Sequence, residues 1–189
     1  MRHQGTQPLQ TRRLILRRFT QDDAPAMYAN WASDPVVTEF LTWTVHESVE
    51  ASRQLLAQWE RDYESDRVYS WALELRETGE VIGGVSVVRL DEAIDEAEVG
   101  WCIGTRWWGR GYMPEAAAAV RDFLFDAAGV NRLCAKHDVD NPKSGRVMAK
   151  IGMRFEGVRR QGGRNNRGLR DMACWAMLKA DRDAPGGEA

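Results

Sequence analysis

The strongest constraint on the fold lies in residues 98–115, where a strand, a glycine-rich loop and a helix start follow one another without a gap. Val99, Trp101 and Ile103 alternate with Glu98, Gly100 and Cys102, the period of an extended strand with two distinct faces. Gly104, Gly109 and Gly111 then break that period. Pro114 suits the first turn of a helix, where its missing N–H costs nothing. Ala117, Val120, Phe123, Leu124 and Ala127 continue at helical spacing, and Gly129 is placed to stop the helix. A strand that turns through glycines into a helix N-terminus is an anion site. The first turn offers unpaired N–H groups at the positive end of the helix dipole, and glycines let a phosphate approach the backbone.

The rest of the chain bounds what that site serves. A length of 189 residues suffices for one domain with a proper core, and the net charge of −2 gives no reason to expect nucleic acid as the main partner. No apolar run is long enough to cross a bilayer, and residues 1–13 carry basic charge without the hydrophobic stretch of an export signal. Cys102, Cys134 and Cys174 are odd in number, widely spaced and set in apolar runs, which reads as reduced thiols in a cytoplasmic protein. His3, His46 and His137 have no metal-ligand spacing, so no metal is assigned. Charge is unevenly spread. Arg154, Arg159, Arg160, Arg164, Arg167 and Arg170 crowd the C-terminal part, where they could meet phosphate or RNA. Asp91, Glu92, Asp95, Glu96 and Glu98 precede the central strand, where they could attract a cationic substrate. For both runs a solvated face is the default reading.

In chain order, residues 1–10 read as a flexible leader, 11–180 as one domain and 181–189 as a flexible tail. A strand at Leu14–Phe19 is followed by a helix capped by Thr20 or Asp22, running to about Ala32 and ended by Asp34-Pro35. An apolar loop or short helix over 36–43 leads to a helix from about His46 to Tyr63. Strands at Ser70–Leu75 and Val81–Leu90 are joined by a hairpin turn at Glu77–Glu80. After the central strand and helix come a strand at Arg132–His137 and a helix opening at Asn141. Two last strands follow, Arg154–Val158 and Met172–Leu178, joined by a Gly- and Arg-rich loop over 161–170. The fold class is α/β: one mixed, mostly antiparallel sheet of about seven strands flanked by about four helices.

Arg106-Trp107-Trp108-Gly109-Arg110-Gly111 resembles the pyrophosphate-binding motif of the GNAT (GCN5-related N-acetyltransferase) superfamily, and the order of elements is similar to the GNAT fold over nearly the whole chain. Leu14-Ile15-Leu16-Arg17, Ile82-Gly83-Gly84 and Glu98-Val99-Gly100-Trp101 carry a closer resemblance to the RimJ/RimL type, the ribosomal-protein N-terminal acetyltransferases and their relatives. Gly111-Tyr112-Met113-Pro114-Glu115-Ala116, Asn141-Pro142-Lys143-Ser144 and Lys150-Ile151-Gly152-Met153 complete it. The resemblance implies direct transfer of acetyl from acetyl-CoA to a primary amine, either a protein or peptide N-terminus or a small amine, in a ternary complex.

It also implies roles. Backbone N–H groups at Trp101, Cys102 and Ile103 would hold the thioester oxygen, and those of Arg106, Trp107, Trp108, Gly109, Arg110 and Gly111, with Tyr112 and Met113, the pyrophosphate. Ser144 would protonate the leaving thiol, Asn141 would bond the pantetheine arm or an ordered water, and Lys143 joins the cofactor-binding set. Glu98 is the first choice of base. It lies three to five residues from the oxygen donors, about 10–16 Å along an extended strand, and so would work through water unless the strand bends. Glu39, in the apolar loop, is the second choice and an acceptor-binding residue; Trp43, Trp107 and Trp108 are candidates to line a pocket. Some RimL-type enzymes place a carboxylate in the last hairpin, where this chain has Gly162, Gly163 and Arg164, a departure that counts against a ribosomal substrate. Two other readings stay open: an RNA- or ribosome-binding module using the arginine-rich hairpin, and a non-catalytic acyl-CoA sensor. Monomer and homodimer are equally compatible with the sequence.

Overall fold

The computed structural model describes residues 1–183; the part of the expected tail beyond Asp183 lies outside the described residues. Strands β1 (Leu9–Gln10) and β2 (Leu14–Arg17) lead into a short helical stretch. It comprises a 3₁₀ turn (Gln21–Asp23), α1 (Ala24–Met27) and a wide π turn (Tyr28–Ala32). Thr20 opens it: its N–H donates to Asp23, whose carboxylate also pairs with Arg17. Asp34 caps α2 (Pro35–Thr38), and Ser48 caps α3 (Val49–Asp62) through the Ala51 N–H. Of the apolar residues of α3, only Leu56 is fully enclosed. The chain continues through β3 (Ser70–Leu75), β4 (Val81–Asp91), β5 (Glu96–Ile103), α4 (Tyr112–Asp126), β6 (Arg132–Asp138) and α5 (Pro142–Lys150). It ends with β7 (Arg154–Asn165), β8 (Gly168–Leu178) and α6 (Lys179–Asp183).

These strands form one sheet in the order β1-β2-β3-β4-β5-β6-β8-β7. Every pairing is antiparallel except β5 with β6. That exception positions the site. The two parallel strands are in register only from Glu96↔Arg132 to Glu98↔Cys134, although β5 runs on to Ile103 and β6 to Asp138. Beyond Glu98 they part. On that side, the rest of β5 has no ladder partner for its backbone groups, and a wedge opens in the middle of the sheet.

The alternation read along β5 sorts onto two cores. Ala97, Val99 and Ile103 join α4 and α5 on one face, together with the fully buried Leu14, Leu16, Trp71 and Leu124. Cys102 faces the other way, toward Phe19, Met27, Trp31 and Leu56. Each such enclosed apolar side chain contributes about 1.5–3 kcal/mol relative to exposure. Helix α5 sits unusually close to the sheet: a Cβ on Gly145 would lie 2.7 Å from the Nε2 of His137 on β6.

Two expectations are corrected. Residues 1–10 are packed rather than loose. Thr6 donates to the Val68 carbonyl (2.9 Å), the Trp71 indole donates to the Gln7 carbonyl (2.7 Å), and Leu9–Gln10 add an eighth strand. Their polar side chains and backbone serve as partners for the start of β3, a use that apolar periodicity does not reveal. The Gly- and Arg-rich segment 161–170 is mostly strand. Asn165 pairs with Gly168 across a two-residue turn, and a bulge between Arg159 and Gly163 absorbs the irregular glycines.

Candidate active site

The wedge between β5 and β6 opens into a cavity of about 520 Å³. Its sheet side is Trp101–Ile103; one end is formed by Trp107–Gly109 and the first turn of α4, the other by Val36–Leu41, and α5 lies along it.

The glycine-loop end is built from backbone. Thr105–Trp107 form a 3₁₀ turn, and Gly109 (φ 74°) and Gly111 (φ 78°) both adopt the left-handed conformation that only glycine takes cheaply. Gly111 is the N-cap of α4 and supplies no side chain to its first turn, so the leading N–H groups have no side-chain cap. The loop is clamped from behind. Glu115 accepts from the Thr11 hydroxyl (2.6 Å), the Arg13 N–H (2.8 Å) and Arg13 Nε (2.7 Å), while Arg13 Nη1 reaches the Arg110 carbonyl (2.9 Å). Burial opposes ionisation of Glu115, but these bonds outweigh it and hold its carboxyl below the usual range. The Trp108 indole donates to the Ile103 carbonyl (2.8 Å), which ties the loop to the end of β5. Arg106 and Arg110 do not line the cavity; the Arg106 side chain points outward to Glu80 (3.5 Å).

Asn141 and Ser144 both line the cavity at the start of α5. Asn141 is the N-cap but makes no side-chain cap bond, and the only contact across the turn is from the Ser144 N–H to the Asn141 carbonyl (3.2 Å). The serine is therefore not a capping side chain. Lys143 places its ammonium 3.7 Å from the centre of the Trp108 ring, linking α5 to the glycine loop.

The opposite wall comes from three separate segments. Asn166, at the tip of the β7–β8 hairpin, donates to the carbonyls of Thr38 (2.8 Å) and Trp43 (2.7 Å), and its N–H to that of Leu41 (3.1 Å). Arg167 pairs with Glu39 (3.5 Å) and Asp140 (3.1 Å) and lies over the Phe40 ring. Arg170 pairs with Asp140 and with the fully enclosed Asp138 (2.9 Å). Burial disfavours the Asp138 anion, yet bonds from the Asp140 N–H, Asn165 and Arg170 prevail and keep its carboxyl below the ordinary range. Glu39 and Asp140 line the cavity and Arg167 braces them from behind.

Three expectations change here. Glu98 is not at the cavity. It lies where β5 and β6 are still paired, with Lys136 at 2.9 Å and Arg89 at 3.4 Å, and it borders a separate groove with Glu96, Arg132 and Cys134. Its carboxylate is held by two cations at the closed end of the wedge and does not line the cavity. The acidic run containing it is likewise spent on partners: Asp95 binds the Met1 ammonium, Glu92 pairs with Arg67, and Glu96 pairs with Arg89 and Arg132. Trp43 does not line the cavity; it packs on the second core beside His46. Trp107 and Trp108 do line it. Arg159, Arg160 and Arg164 lie outside it on β7.

Other candidate bases are committed too. His137 donates from Nδ1 to the Asp138 carbonyl (2.8 Å) and accepts from the Trp175 indole at Nε2 (3.2 Å), so both ring nitrogens are occupied. Burial pushes the Cys102 thiol up to about 12, leaving it protonated and a poor nucleophile. Asp140, Arg146 and Lys150 border the cavity without having been singled out from sequence. Arg146 and Lys150 follow Lys143 at helical spacing and could have been found that way; the hairpin tip, distant in sequence, could not.

A parallel pair of strands that separate beside an uncapped, glycine-started helix is the architecture of an acyl-CoA-dependent acetyltransferase. The chain belongs to the GNAT acetyltransferase family: the family's domain model, described as "Acetyltransferase (GNAT) domain", matches residues 13–154. It is 34% identical to the uncharacterized N-acetyltransferase YoaA of Bacillus subtilis over 81% of this chain and 86% of that one. Its fold matches that of ribosomal-protein-S5-alanine acetyltransferase from Vibrio fischeri with a TM-score of 0.81, at 19% identity, over 94% of this chain and 100% of the other. The ribosomal L7/L12 α-N-protein acetyltransferase RimL, solved with coenzyme A, gives a TM-score of 0.81 at 19% identity over 91% and 98% of the two chains. The protein is thus an N-acetyltransferase of the GNAT type with ribosomal-protein acetyltransferases among its structural neighbours.

Proposed function

We propose that this enzyme transfers acetyl from acetyl-CoA directly to a primary amine, with both substrates in the cavity at once, inside the cytoplasm. The observation that carries the reading is one cavity bordered at one end by the uncapped start of α4, along its length by the free edge of β5 and by Ser144, and at the other end by Glu39. The residues present fit the cofactor. Two left-handed glycines leave the loop backbone open to a pyrophosphate, and the N–H groups of Tyr112 and Met113 have no side-chain cap. When bound, acetyl-CoA supplies the activated acyl group.

The chain's own groups then have three tasks. Backbone N–H groups of β5 between Trp101 and Ile103 that point away from β4, on the side where β6 has parted, stabilise the charge that grows on the acyl oxygen as the carbon–nitrogen bond forms. Ser144, with no cap bond to maintain, gives a proton to the sulfur as the carbon–sulfur bond breaks. The amine must shed a proton as it attacks. Glu39 takes it through water, because it faces the cavity with a single arginine 3.5 Å away, whereas Asp140 is held by two.

The acceptor is a peptide N-terminus or a small amine; the ribosomal-protein enzymes of this fold favour the first, and Gly162-Gly163-Arg164 in the hairpin keeps the second open. Free-thiol release from acetyl-CoA against N-terminal peptides, polyamines and aminoglycosides, with mass spectrometry of the amine, is the test. Amine-dependent thiol release with one acetyl added to the acceptor is expected. Tight acetyl-CoA binding with no turnover on any amine would instead mark a sensor.

A further inference from the structure

The acceptor end of the cavity holds an arginine that stability does not account for. Glu39, at the end of α2, and Asp140, in the turn after β6, both bring carboxylates to the cavity. One guanidinium bridges them: Arg167 reaches Asp140 at 3.1 Å and Glu39 at 3.5 Å, and lies over the Phe40 ring. Its side chain and both partners are at least a third exposed, and ion pairs of that kind add little to folding.

The turn that carries Arg167 is nevertheless fixed on both sides. Asn165 accepts from the Arg167 N–H (2.9 Å) and donates to the enclosed Asp138 (2.8 Å). Asn166 is bonded to the carbonyls of Thr38, Leu41 and Trp43. Arg170, further along β8, pairs with Asp138 and Asp140. The hairpin tip thus holds a cation at a set position behind two cavity carboxylates.

The charges of this wall decide what it can accept. Glu39, Asp138 and Asp140 face Arg167 and Arg170, three carboxylates against two guanidiniums, which leaves one net negative charge. A single ammonium neutralises it. A second cation on the same acceptor would meet Arg167 with no carboxylate left over, and like charges brought together at a binding surface oppose the wrong partner. Without Arg167 the wall would carry two net negative charges and suit a dication.

Resting on the reading of this cavity as the site of acetyl transfer to an amine, we infer that Arg167 sets acceptor choice by charge. The enzyme takes amines whose only positive charge is the reacting ammonium, and it rejects polyamines and N-termini followed closely by a basic residue. Val36, Phe40 and Leu41 beside Glu39 offer such an acceptor apolar surface rather than further anions. Arg167 acts from behind the carboxylates, as a specificity-determining residue rather than a catalytic one.

Comparison of kcat/KM for matched acceptors at saturating acetyl-CoA tests this. One pair is butylamine and (4-aminobutyl)trimethylammonium; the other is the amidated tetrapeptides Ala-Ala-Ala-Ala and Ala-Arg-Ala-Ala. Each compound has one reactive amine, and the members of a pair differ by one fixed positive charge. The wild type should favour the singly charged member at least tenfold. Arg167→Gln should cut that preference at least fivefold by gaining on the doubly charged member, while Arg167→Lys, which keeps the charge, should retain most of it. Arg164→Gln removes a cation from the same hairpin outside the cavity and should leave the preference as in the wild type. No preference in the wild type, or one unchanged in Arg167→Gln, would overturn the proposal while leaving acetyl transfer standing. An equal change in Arg164→Gln would assign the preference to the overall field of the hairpin, also against it. A kcat that falls alike on both members with their ratio intact would make Arg167 a brace for Glu39 and nothing more. A wild type that acetylates only amines with further positive charges overturns the proposal too, and one that acetylates no amine at all removes the acetyl-transfer reading itself.

Discussion

The two ends of the cavity are built in opposite ways. The glycine-loop end is one continuous stretch of chain, residues 104–115, whose working groups are backbone N–H groups set by glycine conformations and a helix start. The acceptor end is assembled from α2 and its following loop, the turn after β6, and the tip of a hairpin more than a hundred residues further on than α2. Its working groups are side chains braced by other side chains. A wall made of backbone tolerates change everywhere except at its glycines, whereas a wall made of paired side chains can be retuned by any member. Chemistry common to the family would sit on the first kind of wall, and acceptor choice on the second.

That contrast can be broken by substitution. The largest effect is expected at Ser144, which lies between the two ends. Ser144→Ala should lower kcat about 100-fold, the lower end of the range for general acid assistance, because a thiol with an ordinary value near 8.5 leaves tolerably even unprotonated. Its hydroxyl caps nothing, so acetyl-CoA affinity and melting temperature should both hold. A variant that melts earlier and turns over normally would make the serine structural. Next, Gly111→Val forces a β-branched residue to φ 78° and narrows the approach to the loop. Acetyl-CoA should bind at least tenfold more weakly, about 1.4 kcal/mol, in calorimetry. Unchanged affinity in the folded variant would remove the loop from the cofactor site.

At the other end, Asn166→Ala removes both amide bonds that hold the hairpin to the Thr38 and Trp43 carbonyls. Acceptor KM should rise at least roughly fivefold, with acetyl-CoA affinity untouched, since two lost bonds at about 0.5–1.5 kcal/mol each amount to about 1 kcal/mol or more. A matching loss of cofactor affinity would mean that the two ends are not separable. The smallest effect is expected at Glu98. Glu98→Gln should leave kcat within about twofold, because its carboxylate is paired with Lys136 and Arg89 and does not line the cavity. A hundredfold fall in kcat would restore it as the base.

The same contrast explains what could be read from the residues alone. Strand β5, the glycine loop and α4 were legible because their signals are local: a period of two, positive-φ glycines and a helical repeat, all in one contiguous segment. Asn141 and Ser144 were legible as a short motif. Glu98 was misplaced because the spacing along β5 does not reveal where β5 parts from β6, and Lys136 and Arg89 reach it only through strand pairing. Asp140 and Asn166 carry no local pattern at all, and Arg167 stood out only as one of an arginine run. Their meaning arises from a hairpin turn closing over a loop, which depends on registers that no single stretch encodes.

The close seat of α5 on β6 has a further consequence. Because a methyl group at position 145 would come within 2.7 Å of the His137 ring, the height of the helix above the sheet is set by the absence of one side chain, directly beside Ser144. The helix therefore works as a spacer with no slack. Gly145→Ala would tip or lift the first turn and carry the serine hydroxyl with it. Crystals of that variant should show Ser144 displaced from the cavity wall although nothing in the residue itself has changed.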